Sequence, residues 1–443
     1  MNDAWLSMSA ADLGRGISAA TIDPVALCEC YLAAIDAHPL GHRIYARATQ
    51  NRALSEARAA AKRAANGTRR SVLDGVPISW KDLFDTAGTA TEAGSALLAG
   101  RVPTKDARVL ANATMAGLVC LGKTHMSELA FSGLGFNPIT QTPPSVNYPD
   151  CVAGGSSSGA AASVAFGLAA GAVGSDTGGS VRIPAVWNDL VGLKTTSGLL
   201  SLQGVVPLVA SFDTVGPLCR TVQDAALMLS ALAGTPAPDL TAPSLKGMRF
   251  LILDNVVMDG LRDAPLAGFT RAIECLKQAG ASVARHAVPV IDDAMALAGP
   301  LFTPEAYATW QQEIEAAPEK MYPAILKRFQ SGKDFTAVQA HGAWQALDAH
   351  RDQWLHAVAG YDAVIMPTSA SLPPNIDKLA SDDDYYIAAN LLALRNTRVA
   401  NLMDAAALTL PTGVPATGIS FLTPPRSEHR LLRIGAAAQA ALA

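Results

Sequence analysis

Two short runs constrain this chain more than any others: "AGGSSSGAA" (153–161) and "SDTGGSVRIPA" (175–185). The stretch between them has room for one short helix and one short strand. A helix over 158–168 carries the chain about 16 Å away from Ser156. A strand through "AAGAVGS" then returns it by about 20 Å to the same end. Ser156, at a helix start, and Ser180, just past a strand end, therefore meet at the carboxyl edge of a sheet. That is the edge where α/β folds place their sites.

Three chemistries compete for such a pair of loops. A phosphate or dinucleotide cradle fits Gly155 to Gly159 ahead of a helix, with Asp176 following. The G-x-G-x-x-G spacing is absent, however, no G-K-[ST] follows, and the prolines of "PPSVNYPDC" make a poor preceding strand. A nucleophile elbow fits "GSSSG" (155–159) with Ser157 at its centre, but the feeding strand is again missing. The third reading uses both loops and needs a base, for which a lone lysine suffices. Lys81 ends the apolar run "GVPISW" and so projects at the carboxyl edge of its own strand. Burial there would disfavour its ammonium form.

The rest of the chain sets the class. With 443 residues, half of them apolar, it can bury a large core, which excludes disorder and small disulfide scaffolds. A net charge of −4 without a basic block gives no support to nucleic-acid binding. Six scattered cysteines match reduced intracellular thiols, and the Cys28/Cys30 pair lacks the second pair of a zinc site. The N-terminus lacks signal-peptide features, and the most apolar run (160–174) is shorter than a membrane span. A cytoplasmic location is expected.

Helices are expected as two over 9–36, then at 51–65, 269–281, within 304–359 and from Ser427 onward. Strands are expected at 75–82, 118–122, 244–253, 282–289, 361–368 and 419–423. Alternating strands and helices predict a mainly parallel or mixed sheet covered on both faces. Residues 234–243, rich in proline, are the best candidate for a subdomain seam.

"LDGVPISWKDLFDTAG", "GGSSSGAAASVA", "DTGGSVRIPA" and "SFDTVGPLCRTVQDAALML" together resemble the amidase signature family; "GKTHMSELAFS", "YDAVIMPT" and "LTLPTG" also fit. The resemblance implies an α/β fold: one domain over 1–443 with a large mixed, twisted sheet covered by helices. Its N-terminal helices would occupy about 9–65 and its Gly/Ser-rich catalytic core about 72–230. It further implies a Ser–cis-Ser–Lys triad: Ser180 as nucleophile, Ser156 (after a cis peptide) as bridge, and Lys81 as base. The backbone N–H groups of Thr177, Gly178, Gly179 and Ser180 would form the oxyanion hole, with Asp176 and Arg182 bracing the loop. Ser157 and Ser158 are read as loop hydrogen-bonders and His125 as a structural or pocket-wall residue. Trp187 and Asn188 are read as a pocket variation or core. Phe131, Phe136, Tyr148 and helices near 300–330 are candidates for lining an apolar pocket.

The expected activity is hydrolysis of a linear amide of a small molecule through an acyl-enzyme. The alternative is the A subunit of a glutamyl/aspartyl-tRNA amidotransferase. Against it, 322–355 reads "KDFTAVQAHGAWQALDAH" where a different stretch is associated with that protein, and the section after "LPTG" looks trimmed. No cofactor or metal is expected. The expected partner is a small-molecule amide, with neither nucleic acid nor membrane, and a homodimer is the candidate assembly.

Overall fold

Among the described residues, eleven strands form, most of them where aliphatic runs lie between glycine- and proline-rich turns. They are β1 (Tyr45–Ala48), β2 (Pro77–Lys81), β3 (Val119–Thr124), β4 (Gly171–Asp176), β5 (Val191–Lys194), β6 (Thr214–Cys219), β7 (Arg249–Leu253), β8 (Ser282–His286), β9 (Ala363–Pro367), β10 (Ala406–Pro411) and β11 (Gly418–Thr423). The computed structural model describes residues 3–443. All eleven strands join one sheet in the order β1-β3-β2-β4-β6-β5-β10-β11-β9-β7-β8.

The expected mixed sheet is what forms, with a specific arrangement. β3, β2 and β4 are parallel, as are β9, β7 and β8. Antiparallel pairing through β6, β5, β10 and β11 joins these two wings. β1, β5, β6 and β10 were not among the expected strands. The loop at 234–243 does not divide the fold, because the strands before and after it belong to the same sheet.

β2, β3 and β4 are buried at every position, which requires cover on both faces. Helices Pro24–Ala37 and Gln50–Ala65 pack on β3, and Ser158–Ala165 packs on β2 and β4. Val222–Ala233 lies on β5 and β6, and Glu428–Leu442 on β10 and β11. Local chemistry fixes several of the helix ends. Asp23 accepts the N–H groups of Val25 and Ala26 just ahead of Pro24, and Thr221 with Asp224 forms a capping box. Among the described residues, no helix is long and apolar enough to cross a membrane.

Candidate active site

β2 and β4 run parallel, so their carboxyl ends, Lys81 and Asp176, come out at the same edge of the sheet. Helix Ser158–Ala165 starts at that edge too, which brings "GGSSSG" alongside. A 2.7 Å hydrogen bond between the Ser79 and Ser163 hydroxyls ties this helix to the strand that carries Lys81. The Gly155–Ser156 peptide is cis, as the family resemblance implies. Lys81 is completely buried, and its Nζ donates to Ser156 Oγ and to Ser175 Oγ, each at 2.7 Å. Burial pushes its pKa down to about 7, against the pull of the Asp213 and Asp176 charges. Lys81 is therefore no surface partner of Asp82, whose carboxylate instead meets Lys123 and Arg47.

The second loop is stitched to the first: Ser157 N–H donates to the Ser180 carbonyl at 3.3 Å. Asp176 organises it. Its carboxylate accepts from Gly179 N, Val181 N, Arg182 Nε, Arg182 Nη2 and Asn401 Nδ2, all within 3.1 Å. Burial alone would raise the Asp176 carboxyl, but the Arg182 guanidinium, aided by Lys194 and Asn401, holds it at about 2. Arg182 also donates to the Thr397 carbonyl and Asn401 Oδ1, both at 2.7 Å. Thr397 Oγ1 donates to the Gly178 carbonyl at 2.7 Å. Gly179 has φ +137°, and a Cβ there would lie 2.0 Å from Thr397 Oγ1. The backbone thus threads a gap that only glycine fits.

One expectation needs correction here. The Gly179 N–H is already bound by Asp176, so it is not free to face an oxyanion. The amides of Thr177, Gly178 and Ser180 make no hydrogen bond among the described residues.

A family profile described as Amidase matches residues 26–432. The chain belongs to the amidase family. It is 34% identical over 373 residues to the 2-amino-5-chloromuconic acid deaminase of Comamonas testosteroni, covering 82% of this chain and 80% of that protein. It is 30% identical over 477 aligned positions to the glutamyl-tRNA(Gln) amidotransferase A subunit of Chloroflexus aggregans, covering 98% and 96%. A solved structure described as an amidase superposes with a TM-score of 0.88 at 27% identity, covering 98% of this chain and all of that one. The chain is accordingly an enzyme acting on carbon–nitrogen amide bonds.

In this amidase a cavity of about 350 Å³ opens over the 177–180 loop, with Thr177, Gly178 and Ser180 in its wall. Ser180 is nearly buried, and its hydroxyl makes no hydrogen bond among the described residues. Phe131 lines the cavity as anticipated, as do Phe302 and Arg328 from the 300–330 region. Phe136 does not; it packs edge-on against Tyr322 and Tyr386 in a separate apolar cluster. Tyr148 packs against that same cluster.

Trp187 and Asn188 are packing residues. The indole N–H binds the Ser371 carbonyl, and the Asn188 side chain bridges Ala153, Pro184 and Val146. Ser157 Oγ is engaged with the Ser175 backbone and Ser158 Oγ with the His125 carbonyl, as loop-stabilising roles require. Burial lowers the His125 pKa to about 4.

Three contributors escaped the sequence reading. Ser175 is the second acceptor on Lys81. Asp213, within the "SFDTVGP" run, accepts from Thr177 Oγ1 at 2.5 Å and from the amides of Leu208 and Val209. Helix Asp383–Leu402 supplies Asn390, Thr397, Arg398 and Asn401 to the site.

Proposed function

We propose that this amidase hydrolyses a linear small-molecule amide with Ser180 as nucleophile, Ser156 as proton relay and Lys81 as base. The observation that carries this reading is the Lys81–Ser156 hydrogen bond inside a site dry enough to bring the lysine near neutrality at pH 7. An ordinary lysine, with a pKa of about 10.4, would be free base less than about one time in a thousand there.

As Ser180 Oγ bonds to the substrate carbonyl carbon, its proton passes to Ser156, and the Ser156 proton passes to the Lys81 amine. The carbonyl π pair moves onto oxygen, which the free amides of Thr177, Gly178 and Ser180 would receive. One such donor is worth about 2.7–4 kcal/mol. Collapse of the tetrahedral intermediate breaks the C–N bond, and the proton returns through Ser156 to the leaving nitrogen. Water then adds to the Ser180 ester by the same relay and releases the acid. Asp176, Arg182 and Asn401 hold the loop and stay outside the reacting atoms.

Purified protein, assayed without partners on aliphatic, aromatic and amino-acid amides, tests this reading, with Ser180→Ala as the blank. Turnover and fluorophosphonate labelling of Ser180, both absent from Ser180→Ala, are the expected results. Labelling at Ser157 would overturn the assignment. The likeness to the amidotransferase protein favours a second reading, a glutaminase that needs partner chains. Turnover by the isolated chain on amides other than glutamine separates the two.

A further inference from the structure

The cavity over Ser180 carries positive charge that no acidic residue in its wall balances. Arg328, on helix Pro323–Gln330, stacks its guanidinium 4.3 Å from the Phe131 ring centroid. Arg398, on helix Asp383–Leu402, lies 5.9 Å from the Phe302 ring centroid. Among the described residues, neither guanidinium makes a hydrogen bond or an ion pair, and Arg328 Nη1 is buried with no partner. Arg182, which is fully buried, behaves differently: it pairs with Asp176.

The cavity wall contains Lys327 as well and no aspartate or glutamate. Burial lowers both guanidiniums to about 10, and for Arg398 the neighbouring Arg328 charge adds to the effect. Both remain protonated at neutral pH, and both line the same largely apolar cavity. Desolvated, unpaired cations are expensive, and a bound anion removes that cost.

A third donor faces the same way. Asn390 Oδ1 accepts from Gly133 N at 2.8 Å and Ser132 Oγ at 3.2 Å, which orients the amide and leaves its NH2 group for the cavity. The pocket therefore offers donors from two guanidiniums and one carboxamide, set among Phe131, Phe302 and Leu394. This pattern suits a planar carboxylate at one end of a short apolar chain, because guanidinium forks match its two oxygens.

The geometry points to an amide substrate that bears a carboxylate, held by Arg328, Arg398 and Asn390 while its amide carbonyl lies at Ser180. This assignment rests on the hydrolase reading for its catalytic half only; the anion site stands on the arginines.

The test has a kinetic arm and a binding arm. Wild-type enzyme is assayed on monoamides of malonate, succinate, glutarate and adipate, each beside the neutral amide with a methyl group in place of the carboxylate. The best carboxylate amide is expected to exceed its neutral partner in kcat/KM by about 100-fold or more. Arg328→Gln and Arg398→Gln are each expected to shrink that ratio by about 10-fold or more, with Arg328→Lys falling between wild type and Arg328→Gln. In the binding arm, the matching dicarboxylate raises the thermal midpoint of Ser180→Ala, inorganic phosphate does not, and Ser180→Ala/Arg398→Gln loses the shift.

A kinetic ratio near one, a ratio unchanged in both glutamine variants, or stabilisation by phosphate but not by dicarboxylate overturns the anion site. Wild-type enzyme inert on every amide, with dicarboxylate still binding Ser180→Ala, overturns the hydrolase reading and leaves the anion site standing.

Discussion

Replacing Lys81 with methionine removes a titrating group from the centre of the fold while keeping an unbranched side chain of similar length. Lys81 is wholly buried, and burial brings its pKa from the ordinary 10.5 to about 7. Between those values the unfolded chain holds a proton that the folded chain has released. Stability therefore rises with pH across this window, and below pH 7 the native state carries the full penalty of the buried ammonium. Each pH unit of separation is worth about 1.4 kcal/mol, so the whole window is worth on the order of 5 kcal/mol. Urea unfolding of wild type and Lys81→Met at steps from pH 6 to pH 10 isolates this contribution, because the other titrating groups cancel in the difference. The difference should be flat below pH 7 and should turn toward the wild type by several kcal/mol as pH climbs to 10. On the same grounds, kcat/KM of the wild type should rise through a limb near pH 7. A stability difference independent of pH from 7 to 10 would show that Lys81 stays charged in the folded protein, and the base assignment would go with it.

Asp176→Asn leaves Arg182 buried without its counter-charge and is expected to destabilise by about 3–5 kcal/mol in urea titrations. In the wild type, the depressed Asp176 pKa gives stability that is complete above pH 4 and is lost as pH falls through about 2. Glu128 is buried between Ser95 Oγ and Tyr322 N, and burial raises its pKa to about 7. The folded chain holds that proton after the unfolded chain releases it, so stability should fall by about 3 kcal/mol between pH 4.5 and 7. Glu128→Gln should abolish that fall in a pH series of urea unfolding curves. Arg398→Lys puts a more readily deprotonated cation in the same apolar wall. Its kcat/KM preference for carboxylate amides should fade at mildly alkaline pH, while the wild-type preference persists.

Much of the site was legible because its chemistry is written in short local runs. The lengths between Ser156 and Ser180 fit one helix and one strand, and β4 and helix Ser158–Ala165 bring them together as that spacing requires. Lys81 was legible for a related reason: an apolar run ending in lysine puts the charge at a strand's carboxyl end. The antiparallel centre was harder to see. β5 is only four residues long, and both β5 and β6 lie among glycine- and proline-rich turns, which hide their period. Helix Asp383–Leu402 escaped for the opposite reason. Its buried face carries Asn390, Asn396, Thr397 and Asn401, so polar residues stand where an amphipathic pattern calls for apolar ones. Asn390, Thr397 and Asn401 are buried because they bind Gly133, Gly178 and Asp176 across a sequence gap of more than two hundred residues, and Asn396 because it binds the Val257 and Pro367 carbonyls. A pairing at that range leaves no local trace.

Burial treats the cations around this site in two ways, and the difference follows from their intrinsic basicity. Lys81 begins at 10.5, and burial is enough to bring it to about 7, where it can take a proton. Arg328 and Arg398 begin at 12.5, and burial of the same kind leaves them at about 10, still charged. Burial thus brings the lysine into the range that the proposed base role requires and keeps the arginines as cations. Their hydrogen-bond partners agree with that division. Lys81 is surrounded by the hydroxyls of Ser156 and Ser175, which can pass a proton. The arginines lie against aromatic faces that accept no proton and leave the guanidinium donors open. Exchanging lysine and arginine between these positions would remove both functions, since an arginine at 81 would stay protonated and a lysine at 398 would hold its charge less firmly.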